Sequence, residues 1–348
     1  MADIGSRKAD HLDLATQGDV GFRHRTTLFE CVELVHDALP ELAVDEIDLG
    51  CTVLGKRLKA PILIAAMTGG TERAKQINKE LASIAEERGY AFGLGSQRAM
   101  QKSRGALDSY AVRDVAPSAL ILGNVGVVQA KQTSTQELED LVGSVGADAL
   151  CVHLNPAMEL IQSDGDRDFT GGTETLARLV DELSVPIVAK ETGCGLSPAV
   201  LKSIKQVGVR HVDVSGAGGT SWVGVETHRA EGERRRLGEV FWEWGIPTAA
   251  SVAFAARCGF STVFATGGIL SGLDVAKSLA LGASAAGIAR HALVALEEGG
   301  RAGALEYLAG VELQLKTAML LTRQRRASTL RDAERVVSGE LEHWLAQL

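Results

Sequence analysis

The chain has 348 residues, 45% hydrophobic and 23% charged, the balance of a folded globular protein with a large core. A net charge of −8 and a pI near 5.6 exclude a general nucleic-acid or acidic-membrane surface, because both need a basic field to draw phosphates; any phosphate recognition has to be local. No apolar run approaches the roughly 20 residues of a membrane span. Met1 to Val20 lacks the apolar segment of a secretory signal, and five dispersed cysteines without CxxC or zinc spacing read as reduced thiols of a cytoplasmic protein.

Met1 to Lys59 carries polar helix signals and reads as an extension that packs on the following domain or covers its mouth and contributes to a substrate site. From Ala60 to Gly300, β-branched runs alternate with helical stretches, the pattern of repeated βα units around a parallel sheet. Eight runs are predicted as strands: Pro61–Ala66, Ala91–Gly95, Ala119–Asn124, Ala149–Leu154, Pro186–Glu191, His211–Ser215, Thr262–Gly267 and Ala285–Ala289. Apolar on both faces and closed by Gly, Ser, Thr or Asn, they fit buried parallel strands, and eight of them fit a closed (β/α)8 TIM barrel better than a doubly wound sheet. Gly216 to Phe260 exceeds a simple connection and is a candidate lid. Arg301 to Leu348 reads as a helical tail packing on the barrel, with Leu313, Leu315, Met319, Leu320 and Leu321 as its apolar stripe and Arg323 to Arg326 on its solvated side.

In this fold the C-terminal strand ends form the active-site face. The polar residues fall there: Thr68 after strand one, Ser96-Gln97-Arg98 after strand two, Asn124 at strand three, His153-Leu154-Asn155 at strand four, Lys190 at strand five and Ser215 to Trp222 at strand six. Strand seven leads into Thr266-Gly267-Gly268-Ile269-Leu270-Ser271-Gly272-Leu273-Asp274, a Gly-rich turn opening a helix over Val275 to Leu281. Backbone N–H groups and a helix start can hold an anion there, although glycines also serve tight helix–strand packing.

The ordered set Met67-Thr68-Gly69-Gly70, Gly95-Ser96-Gln97-Arg98, His153-Leu154-Asn155, Asp213 to Trp222 and Gly267-Gly268, with Arg7-Lys8-x-x-His11 near the start, resembles the type 2, FMN-dependent isopentenyl diphosphate isomerases over roughly Ser6 to Ala289. The resemblance implies FMN contacts at Ala65, Ala66, Met67, Thr68, Ser96, Asn124, Lys190, Ser215 and Thr220, and an FMN phosphate held at Gly268, Gly272 and Ala289. A lysine beside the flavin would stabilise its anionic reduced form; the alternative for Lys190 is pairing with a barrel carboxylate. Arg7, Lys8, His11, Gln97, Arg98, His153 and Asn155 fall on substrate positions, and Glu159 on a magnesium-binding glutamate. Asp166 and Asp168 are either orienting groups or solvated caps. Trp222 is the best-placed aromatic face, or else a buried structural residue.

The implied activity is interconversion of isopentenyl and dimethylallyl diphosphate in isoprenoid biosynthesis, with NADPH as reductant of the flavin, Mg²⁺ on the diphosphate, and a homo-oligomeric assembly, tetramer or octamer. His153 is the implied catalytic residue. The chain departs from the family at Met158, where the family keeps a glutamine proposed to take part in proton transfer. A thioether has no N–H and accepts only weakly, so this reading predicts slow isomerisation that Met158→Gln would speed. Met158 also keeps two rivals open: a flavin and prenyl-diphosphate binding protein without turnover, and another FMN oxidoreductase such as a hydroxy-acid oxidase. The oxidase would need a histidine with an arginine pair after strand six, and no such motif is present.

Overall fold

The computed structural model describes the backbone of residues 4–102 and 104–348 and their side chains except those of 4–9, 17, 101, 102 and 104. Arg7 and Lys8 lie outside the residues whose side chains are described. The eight runs read from the sequence form the eight strands of a closed parallel barrel: β1 Ile62–Ile64, β2 Ala91–Gly93, β3 Leu120–Gly126, β4 Ala149–Leu154, β5 Ile187–Glu191, β6 His211–Asp213, β7 Thr262–Ala265 and β8 Ala285–Ile288. Each pairs with the next, and β8 returns to β1 with Ala286 opposite Ile62 and Ile288 opposite Ile64.

Side chains alternate between the two faces of a strand. Ile62, Ile64, Leu150 and Val152 therefore point outward into the layer between sheet and helices. Leu63, Ala65, Leu120, Leu122, Ala149, Cys151, Val188 and Phe264 fill the barrel. A hairpin of Cys51–Val53 and Lys56–Leu58 adds Val53 and Leu58 to that inner core. Continuing the inward positions by two residues leads from Leu122 to Asn124, from Cys151 to His153, from Val188 to Lys190 and from Phe264 to Thr266. The apolar filling thus gives way to polar groups at the mouth, which is how a packed barrel can carry a site without opening its core.

The flanking segments clasp each other, since Val32–Leu34 pairs antiparallel with Arg335–Val337. Helix α1 (Ile4–Gln17) packs on α3 (Trp222–Arg229) and on α5 (Arg290–Leu321). Three helices occupy residues 216–260. Of these, Thr248–Cys258 is a buried barrel helix, while α3 and Gly232–Phe241 pack on each other and on α2 (Pro156–Ile161). Among the described residues no helix is long and apolar enough to cross a membrane.

Helix α5 is broken by Gly300 at φ +59°. The expected apolar stripe is corrected: Leu315 and Met319 are buried, but Leu313 and Leu321 are 64% and 42% exposed. At 100° per residue Leu313 and Leu315 cannot share a face; the buried line is Leu308, Val311, Leu315 and Ala318-Met319.

Candidate active site

A cavity of about 390 Å³ opens at the barrel mouth, within the usual size of a small-molecule site. Ala65, Ala66, Met67, Thr68, Ser96, Asn124, Lys190, Ser215, Thr220, Gly268 and Ala289 all line it, and so do His11, Arg98, His153, Asn155, Met158, Glu159 and Trp222. Of the expected residues whose side chains are described, two do not. Gln97 is fully buried behind the wall: its side-chain oxygen accepts the Asn124 N–H at 2.8 Å, and its own N–H donates to Asn124 O at 2.8 Å. Gln97 clasps β3 rather than facing a substrate. Gly272 is set by packing, because a Cβ there would lie 2.1 Å from Val311 O on α5.

The two helix starts after strands seven and eight differ in what they leave open. Helix α4 (Gly272–Ala280) caps itself: Ser271 Oγ accepts from Asp274 N, Asp274 Oδ2 accepts from Ser271 N and Leu270 N, and Gly272 N donates to Gln314 Oε1 at 2.8 Å. The N–H groups of Gly272 and Asp274 are taken, and a carboxylate sits on its end. Helix α5 has no capping side chain, and its start, Ala289-Arg290-His291, lines the cavity beside Gly267 and Gly268, whose φ values are +96° and +77°. An uncapped helix start beside a glycine turn is an anion site.

On the inner wall Lys190 Nζ lies 2.9 Å from Asp213 Oδ2 and also donates to Glu191 O. Lysine and barrel carboxylate are thus paired while Lys190 still lines the cavity. Ser215 adopts φ +36°, an uncommon conformation for a residue with a side chain, and is held there because its carbonyl accepts from both Gly193 N and Gly195 N. Thr68 Oγ1 is buried and has no hydrogen-bond partner. An orphaned hydroxyl in a cavity wall is the mark of a group that a ligand completes. Together with the α5 start and the glycine turn, it fits a flavin nucleotide.

The opposite wall comes from β4 and α2. Glu159 is buried; its Oε1 accepts from Asn155 Nδ2 at 2.9 Å and its Oε2 from Asp166 N at 2.8 Å, which leaves a lone pair on each oxygen. Arg98 Nη1 is 3.7 Å from Asp166 Oδ2, itself held by Gln129 Nε2 at 2.6 Å. Asp166 is therefore an orienting group, whereas Asp168 is exposed and caps the Thr170 turn. His11 Nε2 meets the buried Glu226 Oε1 at 2.7 Å and sits edge-on to Trp222, so α1 is fastened to the rim through a residue that faces the cavity. Among the described residues no group of three metal-type ligands is assembled, so a divalent ion would take Glu159 with ligands from the substrate.

Sequence reasoning missed Gln129, Gln162 and Arg290-His291, which all line the cavity. Gln162 lies four residues beyond Met158 at the C-terminal end of α2, a spacing that puts it near the same wall without showing that its amide lacks a partner.

Barrel, glycine turn and uncapped helix start define a (β/α)8 enzyme for a phosphate-bearing ligand. The chain belongs to the FMN-dependent dehydrogenase family, whose profile matches residues 2–105 and 125–335, and within it to the type 2 isopentenyl-diphosphate delta-isomerases. It is 41% identical over 345 residues to the isopentenyl-diphosphate delta-isomerase of Methanothermobacter thermautotrophicus, covering 99% of this chain and 96% of that protein. The Pyrococcus furiosus protein of the same name is 40% identical, covering 98% and 89%. Among solved structures, a mandelate oxidase mutant with an FMN adduct shares the fold at TM-score 0.65 and 16% identity, covering 94% of this chain and 95% of that one. A flavocytochrome b2 mutant with benzoylformate does so at TM-score 0.69 and 18% identity, covering 98% and 84%.

Proposed function

We propose that the chain binds FMN at the barrel mouth and interconverts isopentenyl and dimethylallyl diphosphate, as its relatives' names describe, in the supply of isoprenoid precursors. The observation that carries this reading is that one cavity joins two donor sets. The α5 start, the Gly267-Gly268 turn, Thr68 and Lys190 suit a flavin nucleotide, while Arg98, Asn155 and Glu159 suit a metal-bound diphosphate.

FMN held by the α5 start, the Gly267-Gly268 turn, Thr68 and Lys190 would, when reduced, supply an electron-rich face and acid/base capacity for moving the double bond. Lys190, paired with Asp213, holds positive charge on the cofactor side. His153 is neutral at physiological pH and accepts a hydrogen bond or proton rather than pairing with phosphate by charge. Glu159 would hold Mg²⁺ together with the substrate, and NADPH would serve as the reductant. The N-terminal extension, through His11, and residues 216–260, through Thr220 and Trp222, close the mouth over the substrate. Exposed Val240 and Trp244, 77% and 61% accessible, support a homo-oligomer.

The test is conversion of isopentenyl to dimethylallyl diphosphate by protein loaded with FMN and Mg²⁺ under a reductant. Tight flavin binding without conversion would reject the isomerase reading.

A further inference from the structure

Among the described residues three buried side-chain polar atoms lack a hydrogen-bond partner: Arg25 Nε, Thr68 Oγ1 and Gln162 Nε2. Thr68 and Gln162 line the active-site cavity and Arg25 does not. Thr68 belongs to the cofactor side; Gln162 stands beside Glu159 and Met158 on the other wall, and nothing so far accounts for it.

Its position is fixed by the helix. Gln162 N donates to Met158 O at 3.1 Å, the i to i+4 bond of α2, so both side chains leave the same face about one turn apart. The backbone there is held from two sides. Arg167 Nη2 donates to Gln162 O at 2.8 Å, and the returning loop passes so close that a Cβ at Gly165 would lie 2.0 Å from Glu159 O. Gln162 is 4% exposed, so its amide has neither protein acceptor nor bulk water. An unpaired buried N–H is destabilising, and an apolar side chain of the same length would avoid that cost. An amide kept in such a place awaits an acceptor that arrives with a ligand.

We propose that Gln162, at the C-terminal end of α2, supplies the substrate-facing amide that Met158 does not, its Nε2 donating to an oxygen of the bound complex. That oxygen belongs to the diphosphate or to a water ordered by Glu159. This rests on the isomerase reading. It also revises the expectation of slow turnover, which assumed a helix face without an amide.

The test uses FMN-loaded protein with Mg²⁺ and isopentenyl diphosphate. Gln162→Met keeps length and removes the donor; kcat/KM should fall about 10- to 100-fold, as for a lost hydrogen bond to a charged or reacting group, with FMN content unchanged. The apparent Tm of the substrate-free protein should rise by about 1–3 °C, which loss of a merely structural contact would not produce. Adding Met158→Gln to that variant should restore activity at least about tenfold. A defect confined to KM and to isopentenyl diphosphate affinity assigns the acceptor to the diphosphate, and one confined to kcat assigns it to the water.

Gln162→Met turning over within threefold of wild type, a lowered Tm, or no recovery in the double variant overturns the proposal. Should the methionine variant not accumulate, Gln162→Leu, which also removes the donor without adding a charge beside Glu159, is read by the same criteria. A wild type that does not convert isopentenyl diphosphate rejects the isomerase reading and this inference together, whereas an active wild type matched by Gln162→Met rejects the inference alone.

Discussion

His153 Nδ1 lies 2.8 Å from Asn124 Oδ1, and Asn124 Nδ2 is committed to Leu94 O at 3.1 Å. The amide oxygen can only accept, so the imidazole carries its proton on Nδ1 and keeps Nε2 as an acceptor. Burial, with Lys190 and Arg98 nearby, lowers the His153 pKa to about 4. Asn124→Asp replaces the neutral acceptor with a carboxylate that favours imidazolium, so His153 should titrate about one to three units higher. Histidine NMR across pH 4 to 8 measures this, with the acid limb of turnover expected to move in parallel. An unmoved resonance would show that Asn124 does not set the state of the ring.

The two helix starts at strands seven and eight make opposite predictions. Ala289→Asp puts a carboxylate at the uncapped α5 start, and the purified protein should lose its FMN while its melting temperature stays near that of the wild-type apoprotein. Gly272→Ala drives a methyl into the α5 backbone and should lower stability by about 1–3 kcal/mol, with flavin binding lost only as the fold is lost. Flavin content and thermal unfolding, measured on both variants, separate the roles. Full flavin in Ala289→Asp would move the phosphate away from α5.

This pair also marks how far the sequence could be read. The barrel was legible because buried parallel strands are continuous apolar runs, and the alternation that puts Cys151 inside also puts His153 at the mouth. Gly272 and Gln97 lie off the cavity lining, which could not be read ahead because a motif preserves residue type without stating what each residue touches. Gly272 is needed for helix packing, and Gln97 for holding Asn124. That α4 closes itself with Asp274 while α5 stays open is a matter of hydrogen-bond partners far apart in sequence, Gly272 and Gln314 among them. Gln162 was hidden for another reason: its meaning comes from the absence of any partner, which only three-dimensional packing reveals.

Glu191, next to Lys190, is buried with its carboxylate accepting from Thr192 N at 2.6 Å and from Cys194 N. Burial outweighs those donors and raises its pKa to about 7. Between the unfolded value near 4.5 and about 7 the folded state holds a proton that the unfolded state has released, so this group's contribution to stability falls as pH rises through that window. Glu191→Gln removes the effect. The variant should gain on wild type by up to about 1.4 kcal/mol per pH unit from pH 4.5 to 7, and the difference should be constant above that. Thermal unfolding of both proteins at half-unit pH steps reads it, and a difference independent of pH would refute the assignment.

Glu159 closes the argument for a substrate-side metal, since its carboxylate faces the cavity with one hydrogen bond on each oxygen. In Glu159→Gln the remaining carbonyl oxygen can still accept from Asp166 N, and Asn155 can turn its amide to present Oδ1 to the new NH₂. The hydrogen-bond network is then rebuilt and only the charge is lost. Stability should therefore change by less than about 1 kcal/mol. The Mg²⁺ concentration for half-maximal turnover should rise about tenfold or more, because an ion held by one carboxylate and substrate phosphates loses its only anionic protein ligand. FMN affinity should stay at the wild-type value, as the groups fitted to the flavin phosphate lie across the cavity at Gly267-Gly268 and the α5 start. Turnover titrated against free Mg²⁺ and flavin fluorescence titrated against protein measure the two quantities independently. Weakened flavin binding with an unchanged metal requirement would place Glu159 on the cofactor side of the cavity and leave the diphosphate to Arg98 and Asn155.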